Sequence, residues 1–132
     1  MIKMGGRYLL DSTIAVAFLN GDPNVKEKVN QADEIYLPAI GLGELYYGAF
    51  NSSKRQENLE KIDGFKAEVY LLDCDEYTAK IYGQIKKGLR DKGTPIPEND
   101  IWISAVAIQY GLTVVTRDSH FDYVDGLRVE KW

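Results

Sequence analysis

Arg7-Tyr8-Leu9-Leu10-Asp11-Ser12-Thr13 is the stretch of sequence that decides the fold class. Arg7–Leu10 is typical of a short buried strand that ends at Asp11, and the apolar residues of 13–19 predict a helix directly after it. Strands that alternate with helices pair in parallel through right-handed crossovers. The opening of the chain therefore indicates an α/β domain.

The same alternation continues along the rest of the chain. Further strands are predicted at 34–37, 68–72, 112–116 and 128–132, and further helices at 24–31, 42–50, 54–63, 75–92 and 100–110. Gly93 and Gly111 suit the C-terminal caps of the last two helices, and Asn99 suits the N-terminal cap of helix 100–110. We predict one three-layer α/β/α domain over residues 1–132, with a small, mostly parallel sheet of four or five strands.

Composition excludes several classes of protein. The 132 residues are 45% hydrophobic and 27% charged, as in an ordinary folded domain. The longest apolar run, residues 14–19, is far shorter than the roughly 20 residues of a membrane span. The single cysteine cannot form an internal disulfide, so a cytoplasmic protein with no membrane association is expected. The net charge of −4 argues against binding nucleic acid through bulk positive charge.

Two acids follow predicted strands. Asp11 comes directly after the first strand, and Asp118 comes shortly after strand 112–116. Ligands of open α/β sheets gather beyond the carboxyl ends of the strands. The hydroxyl of Thr116, two residues before Asp118, could orient a carboxylate there. Taken singly, each acid is equally consistent with an exposed turn or a helix cap.

Two further acids interrupt or begin apolar helices. Glu44 lies among the apolar residues of helix 42–50, where a buried carboxylate needs a cation, hydrogen bonds or a proton. Asp100 begins an apolar helix, although the helix dipole alone would also favour an acid there. Four acids in four separated segments form the kind of oxygen cluster that Mg²⁺ prefers. Such clusters recur in phosphodiester cleavage, with paired ions about 4 Å apart.

Four ordered segments carry a resemblance to a known family. The chain resembles the PIN-domain ribonucleases, and specifically the VapC toxins of toxin–antitoxin pairs, over essentially its whole length. The segments are Tyr8-Leu9-Leu10-Asp11-Ser12-Thr13, Gly43-Glu44-Leu45-Tyr46-Tyr47-Gly48, Asn99-Asp100-Ile101-Trp102-Ile103-Ser104-Ala105 and Thr116-Arg117-Asp118-Ser119-His120-Phe121.

The resemblance implies a site, a reaction and partners. It makes the four acids the catalytic residues and the ligands of Mg²⁺, with Mn²⁺ as a substitute, and it makes Ser12 and Thr116 supporting residues. The implied reaction is metal-dependent endonucleolytic hydrolysis of RNA, with tRNA or rRNA as substrate. The implied partners are a VapB-type antitoxin and a second copy of the chain in a homodimer. The four acids are Asp11, Glu44, Asp100 and Asp118.

The basic residues and the one histidine give weaker evidence about function than the four acids do. Lys86 and Arg90 lie on the long helix 75–92 and are candidates for RNA contacts, although such residues ordinarily cover the solvated face of a helix. His120 is the only histidine, which excludes a metal-free mechanism based on two histidines. Beside Phe121 in a loop after a strand, it is more typical of a structural residue than of a catalytic one.

Other functions remain open on the sequence alone. A PIN nuclease of RNA processing and a metal-dependent phosphatase are compatible with four acids. A non-catalytic PIN-fold binding module is a further alternative, although the retention of all four acids argues against it. A phosphoacceptor receiver domain fits less well. Asp11 is followed by Ser12 and not by a second acid, and no lysine follows strand 112–116.

Overall fold

A computed structural model describes residues 5–132, so the first four residues of the predicted domain lie outside it. The helices and strands alternate as expected. In chain order they are β1 (Arg7–Leu10), α1 (Ser12–Leu19), α2 (Pro23–Gln31), β2 (Glu34–Pro38), α3 (Ala39–Phe50), α4 (Arg55–Lys66), β3 (Tyr70–Leu72), α5 (Glu76–Lys92), α6 (Glu98–Tyr110), β4 (Thr113–Val115), a 3-10 helix (Ser119–Tyr123) and β5 (Val129–Glu130).

The sheet has five strands in the order β3-β2-β1-β4-β5, and all four pairings are parallel. The predicted fold class is therefore confirmed. Leu10 at the end of β1 pairs with Val115 at the end of β4. The residues that follow these two strands, Asp11 and Thr116, consequently lie side by side at one edge of the sheet.

The core lies on both faces of this sheet. Because side chains alternate along a strand, Leu9 and Leu10 point to opposite faces. Leu10 packs with residues of α1, α3 and α4, whereas Leu9 packs with α6 and with Phe121 of the 3-10 helix. A third cluster joins α5 to α6. Among residues 5–132, none of the helices is long and apolar enough to cross a membrane.

One local prediction, the start of helix 100–110, was wrong. Helix α6 begins at Glu98, with Pro97 and not Asn99 at its N-cap position. The fixed φ of proline suits a helix start, and the Pro97 carbonyl accepts hydrogen bonds from the backbone N–H groups of Asp100 (3.0 Å) and Ile101 (3.3 Å). Asp100 therefore lies within the first helical turn. The 3-10 helix follows directly after Asp118.

Candidate active site

Asp11 is the most rigidly held acid of the site. Its side chain is only 4% exposed, at the junction of β1 and α1. One carboxylate oxygen caps α1 by accepting from the backbone N–H of Ile14 (3.0 Å) and from the hydroxyl of Thr13 (2.7 Å). The other oxygen accepts from the hydroxyl of Thr116, which is fully buried. These contacts hold the carboxylate in one orientation.

Asp100 and Asp118 approach each other from α6 and from the turn after β4. The backbone N–H of Asp118 donates to the Thr116 hydroxyl (2.9 Å), so Thr116 links Asp118 to Asp11. The imidazole Nδ1 of His120 lies 3.3 Å from Asp100 Oδ2 and 3.1 Å from Asp118 Oδ1. The donor atoms of Asp100, Asp118 and His120 all lie within 4.8 Å of one another.

Glu44 completes the set of acids. It reaches a cleft of about 450 Å³ from α3, and the same cleft is lined by Asp11, Ser12, Asp100 and Asp118. One carboxylate oxygen of Glu44 is buried and has no hydrogen-bond partner among residues 5–132. An unpartnered buried carboxylate oxygen is costly, so this atom is suited to a cation.

The electrostatics of the cleft also favour a cation. The pKa of Asp100 is raised, mainly because burial disfavours its charged form. Hydrogen bonding to His120 lowers the pKa and so opposes this effect, while the negative charges of Asp118 and Asp11 raise it further. A bound positive charge would offset the electrostatic repulsion between the carboxylates in this partly buried cleft.

The donor set fits a divalent metal ion. Carboxylate oxygens are the ligands preferred by hard divalent cations, and the buried oxygen of Glu44 supplies an acceptor that has no partner in the described part of the chain. The acidic cluster of Asp100 and Asp118 with His120 could bind such an ion.

The buried hydroxyl of Thr116 provides a direct test of this arrangement. We expect Thr116→Val, which keeps the side-chain shape, to lower the free energy of unfolding by about 1–3 kcal/mol, because Asp11 and the N–H of Asp118 each lose a buried partner. Urea denaturation measures this loss. Thr116→Ser keeps the hydroxyl and should lose clearly less stability, so equal losses in both variants would contradict the interpretation.

The remaining predicted residues are Ser12, Lys86 and Arg90, and of these Ser12 alone lines the cleft among residues 5–132. Ser12 is the first residue of α1 and lines the cleft. Lys86 is exposed on α5 and forms an ion pair with Glu98 (2.6 Å), a residue that also lines the cleft. Arg90 is exposed one turn further along α5. Glu98 itself lies in the first turn of α6.

Sequence reasoning assigned no role in the site to three residues that the structure places there. His120 contacts two of the acids, Thr13 donates to Asp11, and Asn99 lines the cleft. A hydroxyl two residues after Asp11 is a recognisable signal, because such a side chain can bond back to a helix-capping acid. The proximity of His120 to Asp100 depends on the 3-10 helix and had no local signal.

Comparison with known proteins identifies the family to which the chain belongs. The PIN domain family matches residues 8–127. The chain therefore belongs to the PIN domain family. Its curated relatives include the tRNA(fMet)-specific endonuclease VapC of Shigella flexneri, which is 33% identical over 129 residues, covering 96% of this chain and 98% of the relative.

Solved structures agree with this assignment. The chain is similar to a chain in the crystal structure of DNA-bound VapBC from Salmonella typhimurium, with a TM-score of 0.90, 32% identity, and coverage of 96% of this chain and 98% of that chain. It is also similar to a chain of VapBC2 from Rickettsia felis bound to a promoter DNA fragment, with a TM-score of 0.86, 30% identity and the same coverage.

Proposed function

We propose that this chain is a Mg²⁺-dependent endoribonuclease of the cytoplasm, and that it is the toxin of a VapBC-type toxin–antitoxin pair. The observation that carries the proposal is the convergence of four acids from four separate segments on one cleft, with a buried oxygen of Glu44 left unpaired. The acids Asp11, Glu44, Asp100 and Asp118 would hold the metal, with Mn²⁺ as a substitute for Mg²⁺.

Each acid would contribute differently. Asp11 is oriented in advance by Thr13, Thr116 and the start of α1, so it offers a fixed ligand at little entropic cost. Burial raises the pKa of Asp100, so a neighbouring positive charge would favour its ionised form. When bound, divalent ions supply Lewis-acid chemistry and water activation for phosphodiester hydrolysis.

The proposed substrate is RNA, with tRNA or rRNA as the expected class. The acidic cleft would repel phosphates without the metal, so binding would depend on the ion and on bases around the rim. Lys86 and Arg90 on α5 are the proposed rim contacts. The ion pair of Lys86 with Glu98, a residue that lines the cleft, supports this role.

The proposed partner that regulates the site is a VapB-type antitoxin. An apolar groove of about 680 Å³ adjoins the acidic cleft and shares Ser12, Thr13, Glu44 and Asn99 with it. Val16 and Tyr47 line this groove and are 44% and 73% exposed. Exposed apolar and aromatic side chains of this kind are typical of protein interfaces. An antitoxin segment that filled this groove would reach the acids and block the binding of RNA.

The second proposed partner is another copy of the same chain, in a homodimer.

A cleavage assay tests the function. Untagged protein, freed of any bound partner, is incubated with 5′-labelled total tRNA and rRNA in Mg²⁺, Mn²⁺ or EDTA. We expect discrete fragments that require metal, and we expect Glu44→Gln to slow their formation by at least about 10-fold because one charged ligand is lost.

The matched control is Glu76→Gln, the same substitution at an exposed acid in the first turn of α5. It should cleave at the rate of the unmodified protein. Fragments that persist in EDTA and form at the same rate with Glu44→Gln would contradict the proposal, as would the absence of both cleavage and Mn²⁺ binding.

A further inference from the structure

The imidazole of His120 contacts two acids of the site, Asp100 and Asp118. Its Nδ1 atom faces both carboxylates. Asp118 is already oriented by the backbone, because the N–H of His120 donates to its carboxylate (2.9 Å) as the cap of the 3-10 helix. Asp100 is placed by the first turn of α6. The contacts of the ring are therefore additional to the one that orients the Asp118 carboxylate.

The distances suit joint ligation of one ion as well as direct hydrogen bonding. Charge-assisted N–H···O bonds are typically about 2.7–2.9 Å long, whereas Nδ1 lies 3.3 Å and 3.1 Å from the two carboxylate oxygens. A single N–H also cannot point along both directions. Adjacent ligands of an octahedral ion lie about 3.0 Å apart when the metal–ligand distance is about 2.1 Å. Nδ1 is thus spaced from each carboxylate oxygen as neighbouring ligands of one ion are, and all three donor atoms lie within 4.8 Å of one another.

We propose that His120 is a metal ligand, and that Asp100, Asp118 and His120 form a mixed nitrogen–oxygen metal site within the acidic cleft. This inference rests on the proposed metal dependence and adds the identity of a nitrogen ligand. In the neutral imidazole, one ring nitrogen carries a proton and the other carries a lone pair. In the proposed site Nδ1 carries the lone pair and directs it between the two carboxylates. The ring is partly exposed (42%), so it can adjust to an ion.

A nitrogen donor changes which metals the site prefers. Imidazole suits first-row transition metals, whereas Mg²⁺ prefers a set of oxygens. We expect His120→Gln to weaken Mn²⁺ binding by about 10-fold and to weaken Mg²⁺ binding clearly less. Glutamine keeps a polar side chain of similar reach, so the substitution removes the ring with little change in polarity.

The composition of the chain makes the test unambiguous. His120 is the only histidine in the sequence, so any imidazole ¹⁴N coupling to a bound ion in the untagged protein comes from it. Pulsed electron paramagnetic resonance of bound Mn²⁺ should detect this coupling in the unmodified chain and not in His120→Gln. Thermal unfolding of the variant verifies that it is folded.

The outcomes separate this inference from the proposed function. Mn²⁺ that binds without imidazole coupling would overturn the assignment of His120 and leave a metal site made of carboxylates. A protein that binds no Mn²⁺ would overturn both. Imidazole coupling in the unmodified chain, lost together with about tenfold in Mn²⁺ affinity in His120→Gln, would support the mixed site.

Discussion

Asp100→Asn is expected to reduce metal-dependent RNA cleavage by at least about 100-fold, since a bound metal contributes several kcal/mol to such reactions. The same variant should fold as stably as the unmodified chain or more stably. Loss of activity without loss of stability is characteristic of a residue placed for chemistry at a structural cost.

The expected stability of the variant follows from the raised pKa of Asp100. Burial is the main cause of this raised pKa, and the nearby acids raise it further. A carboxyl whose pKa is higher in the folded state than its ordinary value of 3.8 favours folding below that pH. This contribution is lost as the pH rises through the pKa of the folded state. Asparagine does not ionise, so the variant should gain stability relative to the unmodified chain as the pH rises towards neutrality.

Initial cleavage rates in Mg²⁺, together with urea denaturation in EDTA at several pH values, measure both effects. The matched control is Asp122→Asn, which removes an exposed acid from the 3-10 helix beside the site. Its cleavage rate should be unchanged. Cleavage by Asp100→Asn at the unmodified rate would refute the catalytic assignment.

Phe121→Ala is expected to lower the free energy of unfolding by about 3–5 kcal/mol, a large share of the roughly 5–15 kcal/mol available to a domain. The ring of Phe121 is 1% exposed and packs in the cluster that contains Leu9, Ile103 and Val114. Its removal leaves a cavity between the sheet and α6, which the backbone can fill only in part.

The same ring anchors the 3-10 helix that carries His120 and follows Asp118. We therefore expect Mn²⁺ affinity, measured by titration calorimetry under folding conditions, to fall together with stability. Tyr123→Ala is the matched control, because this ring lies in the same helix but is 47% exposed. Similar stability losses in the two variants would contradict an anchoring role for Phe121.

The local elements were largely predictable because their signals are local. Hydrophobic runs bounded by polar residues identified the strands, and glycines at φ +69° and +66° end α5 and α6 as expected. The start of α6 was misplaced because Asn99 is a good capping residue by type, whereas Pro97 determined the first turn by its fixed backbone angle.

The sequence by itself determined the class of the fold and the presence of acids at the ends of strands, since both follow from periodicity and residue type along short segments. The tertiary structure decided the order of the strands, which places Asp11 beside Thr116 across more than one hundred residues. It also decided that Asp100, Asp118 and His120 meet, and that one oxygen of Glu44 is buried without a partner. These features depend on how α3, α6 and the 3-10 helix pack against the sheet, and such packing is a property of the whole core and not of any one segment.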